Sequence, residues 1–224
     1  MRKKIQVLGI EIDNFTAKEG MKSLVAYMKT EPVSVIEMIT MNTFTKFSQD
    51  EQIDELFGNI DIAFASDRGI LEAAGEQDER RLKEADEQLF IKMAMRFLHK
   101  NKTRVFLLAE DEVAMQKLET DIQADYPNIQ IMGKATVAEN GASDDMILNL
   151  VNGAEAECVL SVLSSSEEEY FIFRNKLLIN ARVWLGFGKL LDELGKEKTG
   201  LQKLKGFFLR QLLKKEIAKK GENA

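Results

Sequence analysis

The chain has 224 residues, 45% of them hydrophobic, which is enough to close one sizeable core, and charged residues of both signs at 30% exclude wholesale disorder. A formal net charge of −6 argues against a general attraction to nucleic acid, so no nucleic-acid partner is expected. One cysteine, Cys158, excludes an intrachain disulfide, and one histidine, His99, excludes a multi-histidine metal site.

In chain order, a short apolar run behind Arg2, Lys3 and Lys4 is broken at once by Glu11 and Asp13, so it does not read as a signal peptide. Residues 5–12 read as a strand, and residues 17–28 as a helix opened by a Thr16/Glu19 capping box. A strand follows at 34–40, a helix at 52–56 and a strand at 62–65, then a helix at 89–98 and a strand at 104–109. The second half repeats the alternation: helix 112–125, strand 129–133, helix 144–151 capped by Ser143, strand 158–163, helix 167–176 and strand 181–187.

Most of these strand patterns are continuous apolar runs, as expected of strands covered on both faces. The expected class is therefore α/β: a mostly parallel, Rossmann-like sheet with helices on both faces and its site beyond the carboxyl ends of the strands. Cys158 lies inside an apolar strand pattern and reads as core, Trp184 reads as packing, and His99 sits beside Lys100 at a helix end. No Gly-x-Gly-x-x-Gly follows the first strand and no P-loop occurs. No stretch approaches about 18 uninterrupted apolar residues, so no membrane span is expected and the chain reads as cytoplasmic.

Four strand ends carry polar or glycine residues: Thr40-Met41-Asn42, Ser66-Asp67-Arg68-Gly69, Ser164-Ser165-Ser166-Glu167-Glu168-Glu169 and Gly186-Phe187-Gly188-Lys189. Taken alone, each suits an ordinary loop, and Ser166 before three glutamates suits a helix start favoured by the dipole. In this order and spacing they resemble the WecG/TagA/CpsF glycosyltransferases. Val7-Leu8-Gly9-Ile10-Glu11-Ile12-Asp13-Asn14 is similar to that family's opening strand, and Thr40-Met41-Asn42 to its Thr-x-Asn. Asp61 through Gly69 stands where the family has an aspartate, a hydrophobic run and Pro-Asp-Gly-x-Gly. Leu163 through Ile172 stands where it has Leu-Gly-x-Pro-x-Gln-Glu. Gly186-Phe187-Gly188, with Asp192 beyond, resembles its glycine-rich segment.

The resemblance implies inverting transfer of an N-acetylhexosamine, such as N-acetylmannosamine, from a UDP-sugar to a polyprenyl-diphosphate-linked acceptor in cell-surface polysaccharide synthesis. It implies no cofactor and no metal, consistent with the lack of an Asp-x-Asp. Thr40, Asn42, Ser66, Gly69, Ser166, Glu168, Gly186, Gly188 and Asp192 are the substrate-binding positions it suggests. The sequence also departs from the family. Aligned on Gly69, the catalytic aspartate falls on Ser66 and its glycine on Asp67, which leaves Asp67 as the candidate base. Glu168 replaces a glutamine and is expected to bring negative charge to the donor site, while Arg81-Leu82-Lys83-Glu84 stands for an Arg-x-x-Gly. Two readings stay open: a transferase with altered catalytic motif, or a catalytically impaired paralogue serving as a binding or scaffold module.

The composition shifts near Gly195, so residues 1–195 are expected to form the transferase-like domain and 196–224 an appendage. From Lys196 to Lys220, nine basic residues against two acidic ones give +7, leaving −13 on the rest of the chain. Leu201, Leu204, Phe208 and Leu212 make one helical stripe, with Lys203, Arg210 and Lys214 opposite. Lys203, Lys205, Phe208, Arg210, Lys214 and Lys215 are the expected contacts with an anionic membrane surface, placing the protein peripherally at the inner face of the cell membrane. The alternative is a terminal helix packed on the body or on a second copy in a homo-oligomer.

Overall fold

The computed structural model describes residues 4–7, 10–40, 43–44, 47, 52–137, 143–163 and 167–188. Their strands are β1 (Lys4–Val7), β2 (Ile10–Asp13), β3 (Ser34–Ile39), β4 (Ile62–Ala65), β5 (Arg104–Ala109), β6 (Gln130–Thr136), β7 (Cys158–Val162) and β8 (Val183–Gly186). The helices are α1 (Ala17–Tyr27), α2 (Ile53–Gly58), α3 (Arg68–Ala73), α4 (Glu79–Asp86), α5 (Leu89–Asn101), α6 (Glu112–Asp125), α7 (Asp144–Gly153) and α8 (Glu167–Asn175), with a 3₁₀ turn at Lys176–Leu178. The strands form one sheet in the order β1-β2-β4-β3-β8-β7-β5-β6. Only the β1/β2 pair is antiparallel; from β2 to β6 every neighbouring pair is parallel.

The helices begin where side chains can take up their free N–H groups. Thr16 and Glu19 complete the capping box of α1, and Asp78, Asp111 and Ser143 cap α4, α6 and α7. Crossovers stepping toward β6 carry α1, α5 and α6 on one face, packed on Ile36, Met38, Leu107, Leu160 and Leu185. Those stepping back carry α2, α7 and α8 on the other, where Val35, Phe106, Val159 and Trp184 form the core with Ile147, Val151, Phe171 and Ile172. A single crossover hand requires this division. Both faces are thus covered, which is why β3, β4, β7 and β8 are buried along their whole length.

Strands 62–65 and 104–109 and helix 112–125 fall as the periodicity predicts. Residues 5–12 do not form one strand: Lys4 pairs with Asp13 and Val7 with Ile10, so the chain reverses between them into a hairpin. Apolar alternation runs through both arms of a tight hairpin and does not mark the reversal. Strand 129–133 continues instead to Thr136, alongside β5. Two helices escape the periodicity, α3 because six residues make too short a window, and α4 because only Arg81, Leu82 and Ala85 of it are buried. Cys158 is fully buried, and burial pushes its thiol pKa up, as a core cysteine requires. His99 lies in the last turn of α5, where its Nδ1 accepts from Asn128 N at 3.2 Å. Among the described residues no helix is long and apolar enough to cross a membrane.

Candidate functional site

Strands β4, β3, β8 and β7 are consecutive and parallel, so the segments leaving their carboxyl ends emerge along one edge. This brings together Ser66, Asp67 and Gly69 after β4, Thr40 after β3, Gly186 and Gly188 at the end of β8, and Glu168 in the first turn of α8. The edge is tied laterally: Ser66 N donates to Ile39 O at 3.0 Å, and Phe187 N to Ser161 O at 2.9 Å. Asn42, Ser166 and Asp192 lie outside the described residues, as do Lys203, Lys205, Phe208, Arg210, Lys214 and Lys215.

Asp67 is the N-cap of α3, its Oδ1 accepting from Ile70 N at 3.2 Å, and it is half-buried. Ser66 beside it is buried at 2% exposure, so of the two neighbours the carboxylate has the greater access to solvent. Gly69 is buried in the first turn of α3. Arg68 turns away, binding Glu72 at 2.6 Å and Glu79 at 2.9 Å, contacts that hold its pKa above the usual arginine value. Thr40 starts the next turn of chain: its Oγ1 accepts from Thr43 N at 3.3 Å, and its N donates to Thr43 Oγ1 at 3.2 Å.

Under this edge lies a group of acids. Glu37 occupies the middle of β3 on the face that α8 covers, and Glu168 and Glu169 enter from the first turn of α8; all three are buried. Glu168 Oε1 accepts from Trp184 Nε1 at 2.6 Å, and Trp184 stacks on Phe171 with ring centroids 5.5 Å apart. Desolvation pushes the Glu168 carboxyl up to about 8, reinforced by Glu169 and opposed by the donors Trp184 and Ser161. Burial thus disfavours the negative charge that the glutamate is expected to bring to the edge. Glu168 and Glu169 also do not form the solvated helix start their run suggests. Glu37 is held well above the carboxylate range by burial first, then by Glu169 and Glu168. The sequence signal for it was available: an acid inside the apolar run Val35-Ile36-Glu37-Met38-Ile39 of a strand covered on both faces. Trp184 is core packing, as its setting predicts, and in addition the indole donor of this group.

Gly186 lies in register between Glu37 and Ser161, and a Cβ there would sit 2.6 Å from Glu168 Oε1 and 2.9 Å from Glu37 Cγ. Gly186→Ala is accordingly expected to cost about 1–3 kcal/mol, as overpacking does in a closed core, read from a denaturant melt. Gly188 adopts φ +52°, the left-handed region that glycine enters without strain.

A cation stands at the same edge beside β2. Arg81 donates from Nη2 and Nε to Asn14 Oδ1 at 3.0 and 3.2 Å, and Asn14 Nδ2 donates to Glu76 Oε2 at 2.6 Å. Glu84 Oε2, 3.5 Å from Arg81 Nη1, accepts from Ala17 N at 2.8 Å and so ties α4 to the start of α1. Burial lowers the Arg81 pKa, yet a guanidinium stays charged under these conditions. The Arg81–Asn14 contact spans 67 residues, and local spacing carries no sign of it.

In comparisons with known proteins, the model of the Glycosyl transferase WecG/TagA/CpsF family matches residues 5–200. No curated protein sequence matches the chain. The match runs from the first strand past the last, through every segment that reaches the carboxyl edge. The chain belongs to the WecG/TagA/CpsF family of glycosyl transferases.

Proposed function

We propose that the protein transfers an N-acetylhexosamine from a UDP-sugar to a polyprenyl-diphosphate-linked acceptor, with inversion and without a metal. The supporting observation is the gathering of Thr40, Asp67, Gly186 and Gly188 at the carboxyl edge of four adjacent parallel strands, where α/β sheets bind their ligands. The acceptor oxygen attacks the anomeric carbon as the bond to UDP breaks. UDP leaves with the electron pair, and the acceptor proton passes to the Asp67 carboxylate. The glycine-rich end of β8 lets backbone approach the diphosphate, and Arg81 supplies positive charge at the same edge. The test is turnover: purified protein with UDP-N-acetylhexosamines and a lipid-diphosphate-linked sugar acceptor is expected to release UDP. Neither hydrolysis nor transfer with any such donor would end the transferase reading.

The second reading, a paralogue that binds without transferring, is favoured by a different observation. The position aligned with the family's catalytic aspartate is the buried Ser66, and Asp67 is engaged in capping α3. UDP binding without turnover would select it.

The segment 196–224 is proposed as a peripheral membrane anchor, on the strength of the +7 charge between Lys196 and Lys220 and its apolar stripe. Each cation near an anionic surface adds about 1 kcal/mol. The full chain is expected to float with vesicles containing phosphatidylglycerol, and a chain ending at Gly195 is expected to stay behind. Equal flotation of the two would remove the anchor.

A further inference from the structure

The acids beneath the strand edge play no part in the proposed transfer, and their arrangement is unusual for a folded core. Glu37 is 3% exposed, and its Oε1 has no hydrogen-bond partner. Against the same glycine, Gly186, stands Glu168, 5% exposed, with Oε1 on the Trp184 indole. One point in space, the Cβ position of Gly186, is 2.9 Å from Glu37 Cγ and 2.6 Å from Glu168 Oε1, so the two side chains crowd the same small volume. Two ionised carboxylates in that volume would repel each other with no water to screen them.

Among the described residues, the groups facing the pair are these. From α8 comes a third acid, Glu169; from β7 the hydroxyl of Ser161; from β8 the indole of Trp184 and the bare backbone of Gly186; from β4 Ala63. Glu55 of α2 is exposed. Among the described residues, Arg174 of α8 holds Asp144 at 2.6 Å, and Lys176 just beyond α8 holds Asp61 at 2.7 Å. No three acidic, histidine or cysteine side chains among the described residues are disposed to hold a metal ion. The ligand that suits an unpartnered carboxyl oxygen beside a second carboxyl is a proton.

We propose that Glu37 and Glu168 hold protons at neutral pH, and that their loss unseats the first turn of α8 from the sheet, making the α8–sheet contact a pH-sensitive latch beneath the strand edge. The raised Glu168 pKa agrees with this placement and sets the window. In the unfolded chain the carboxyl titrates near 4.5, and in the folded chain near 8, so the native state binds the extra proton between those values. The stabilising contribution is whole below about 4.5, falls as pH rises through the window and is gone above about 8. Asp144, whose pKa is lowered first by its hydrogen bond to Arg174, has the opposite sign: its contribution is lost only as pH falls into the acid range, outside this window. The pair titrates as a unit, so removing either carboxyl alters the whole curve.

The latch is independent of sugar transfer, and its test needs no substrate. Denaturant unfolding of the full chain is followed from about pH 5 to 9 for wild type, Glu168→Gln, Glu37→Gln and the double variant. Relative to Glu168→Gln, the wild-type unfolding constant is expected to rise by about tenfold per pH unit inside the window, the slope of one retained proton. Both single variants are expected to be more stable than wild type at pH 9, against the usual outcome for a change in a core. Parallel wild-type and variant curves would overturn the proposal. Should the variants fail to fold, wild type alone decides. Its infrared spectrum in D2O should show a protonated-carboxyl carbonyl band at pH 7 that weakens by pH 9, and a spectrum without that band at pH 7 defeats the idea. Hydrogen exchange tests the latch itself. After correction for intrinsic rates, peptides over 167–175 should lose protection from pH 7 to 9 while those over 112–125 keep it. Equal behaviour of the two helices removes the conformational claim.

Discussion

Asp67→Asn is expected to slow sugar transfer by about 10²–10⁴-fold, the usual contribution of a positioned general base, while unfolding at the wild-type denaturant concentration. The pairing of these results follows from the cap that Asp67 makes and the base role proposed for it. As the N-cap of α3, Asp67 accepts from Ile70 N at 3.2 Å, and asparagine caps as well as aspartate does. As a base, it needs a carboxylate, and an amide takes no proton near neutral pH. Asp67→Ala separates the tasks in the other direction, losing the cap as well, for about 0.5–2 kcal/mol of stability. An Asp67→Asn protein that transfers at the wild-type rate leaves Asp67 with the cap alone. Steady-state UDP release and a urea melt on the same preparation supply both readings.

Trp184→Ala is expected to be the most damaging single substitution for stability, at about 3–5 kcal/mol for a fully buried aromatic cut back to a methyl group. Trp184 is 0% exposed, stacks on Phe171 and lies in the face where β3, β7 and β8 meet α7 and α8. The change also strips Glu168 of its indole donor, so the carboxyl loses one of the two contacts that favour its charged form. Trp184→Phe isolates that second effect. It keeps a ring against Phe171, opens a smaller gap and is expected to move the alkaline titration of Glu168 to higher pH. Because Trp184 is the chain's only tryptophan, these melts are read by far-ultraviolet circular dichroism. A loss below about 1 kcal/mol for Trp184→Ala would mean that the α8 face is not closed as described.

Local pattern was sufficient for much of the architecture, and the reason is visible in the elements themselves. Strand 104–109 and helix 112–125 are legible because each is long enough to show its period and because Asp111 marks the helix start. The class followed from the alternation of such elements. The carboxyl edge as the place for a site followed from the class, and the order of Thr40, Asp67 and Gly186 along the chain pointed to the family. The capping residues Thr16 and Ser143 were legible too, since a cap bonds within its own turn.

What sequence could not decide is what depends on partners brought from elsewhere in the chain. Three glutamates after Ser166 look like a solvated helix start until α8 lies on the sheet and turns Glu168 and Glu169 inward, toward a Glu37 more than a hundred residues earlier. Whether such an acid is charged depends on its solvent and its neighbours, and neither exists before the chain folds. Arg81 and Asn14 meet across 67 residues for the same reason. Composition and periodicity determined a parallel α/β sheet and the edge at which to look, because burial and backbone period are local properties. Only the tertiary structure decided that Ser66 is buried while Asp67 stays half-buried beside it, and that burial raises the Glu37 and Glu168 carboxyls below, because side-chain direction and dielectric arise from packing.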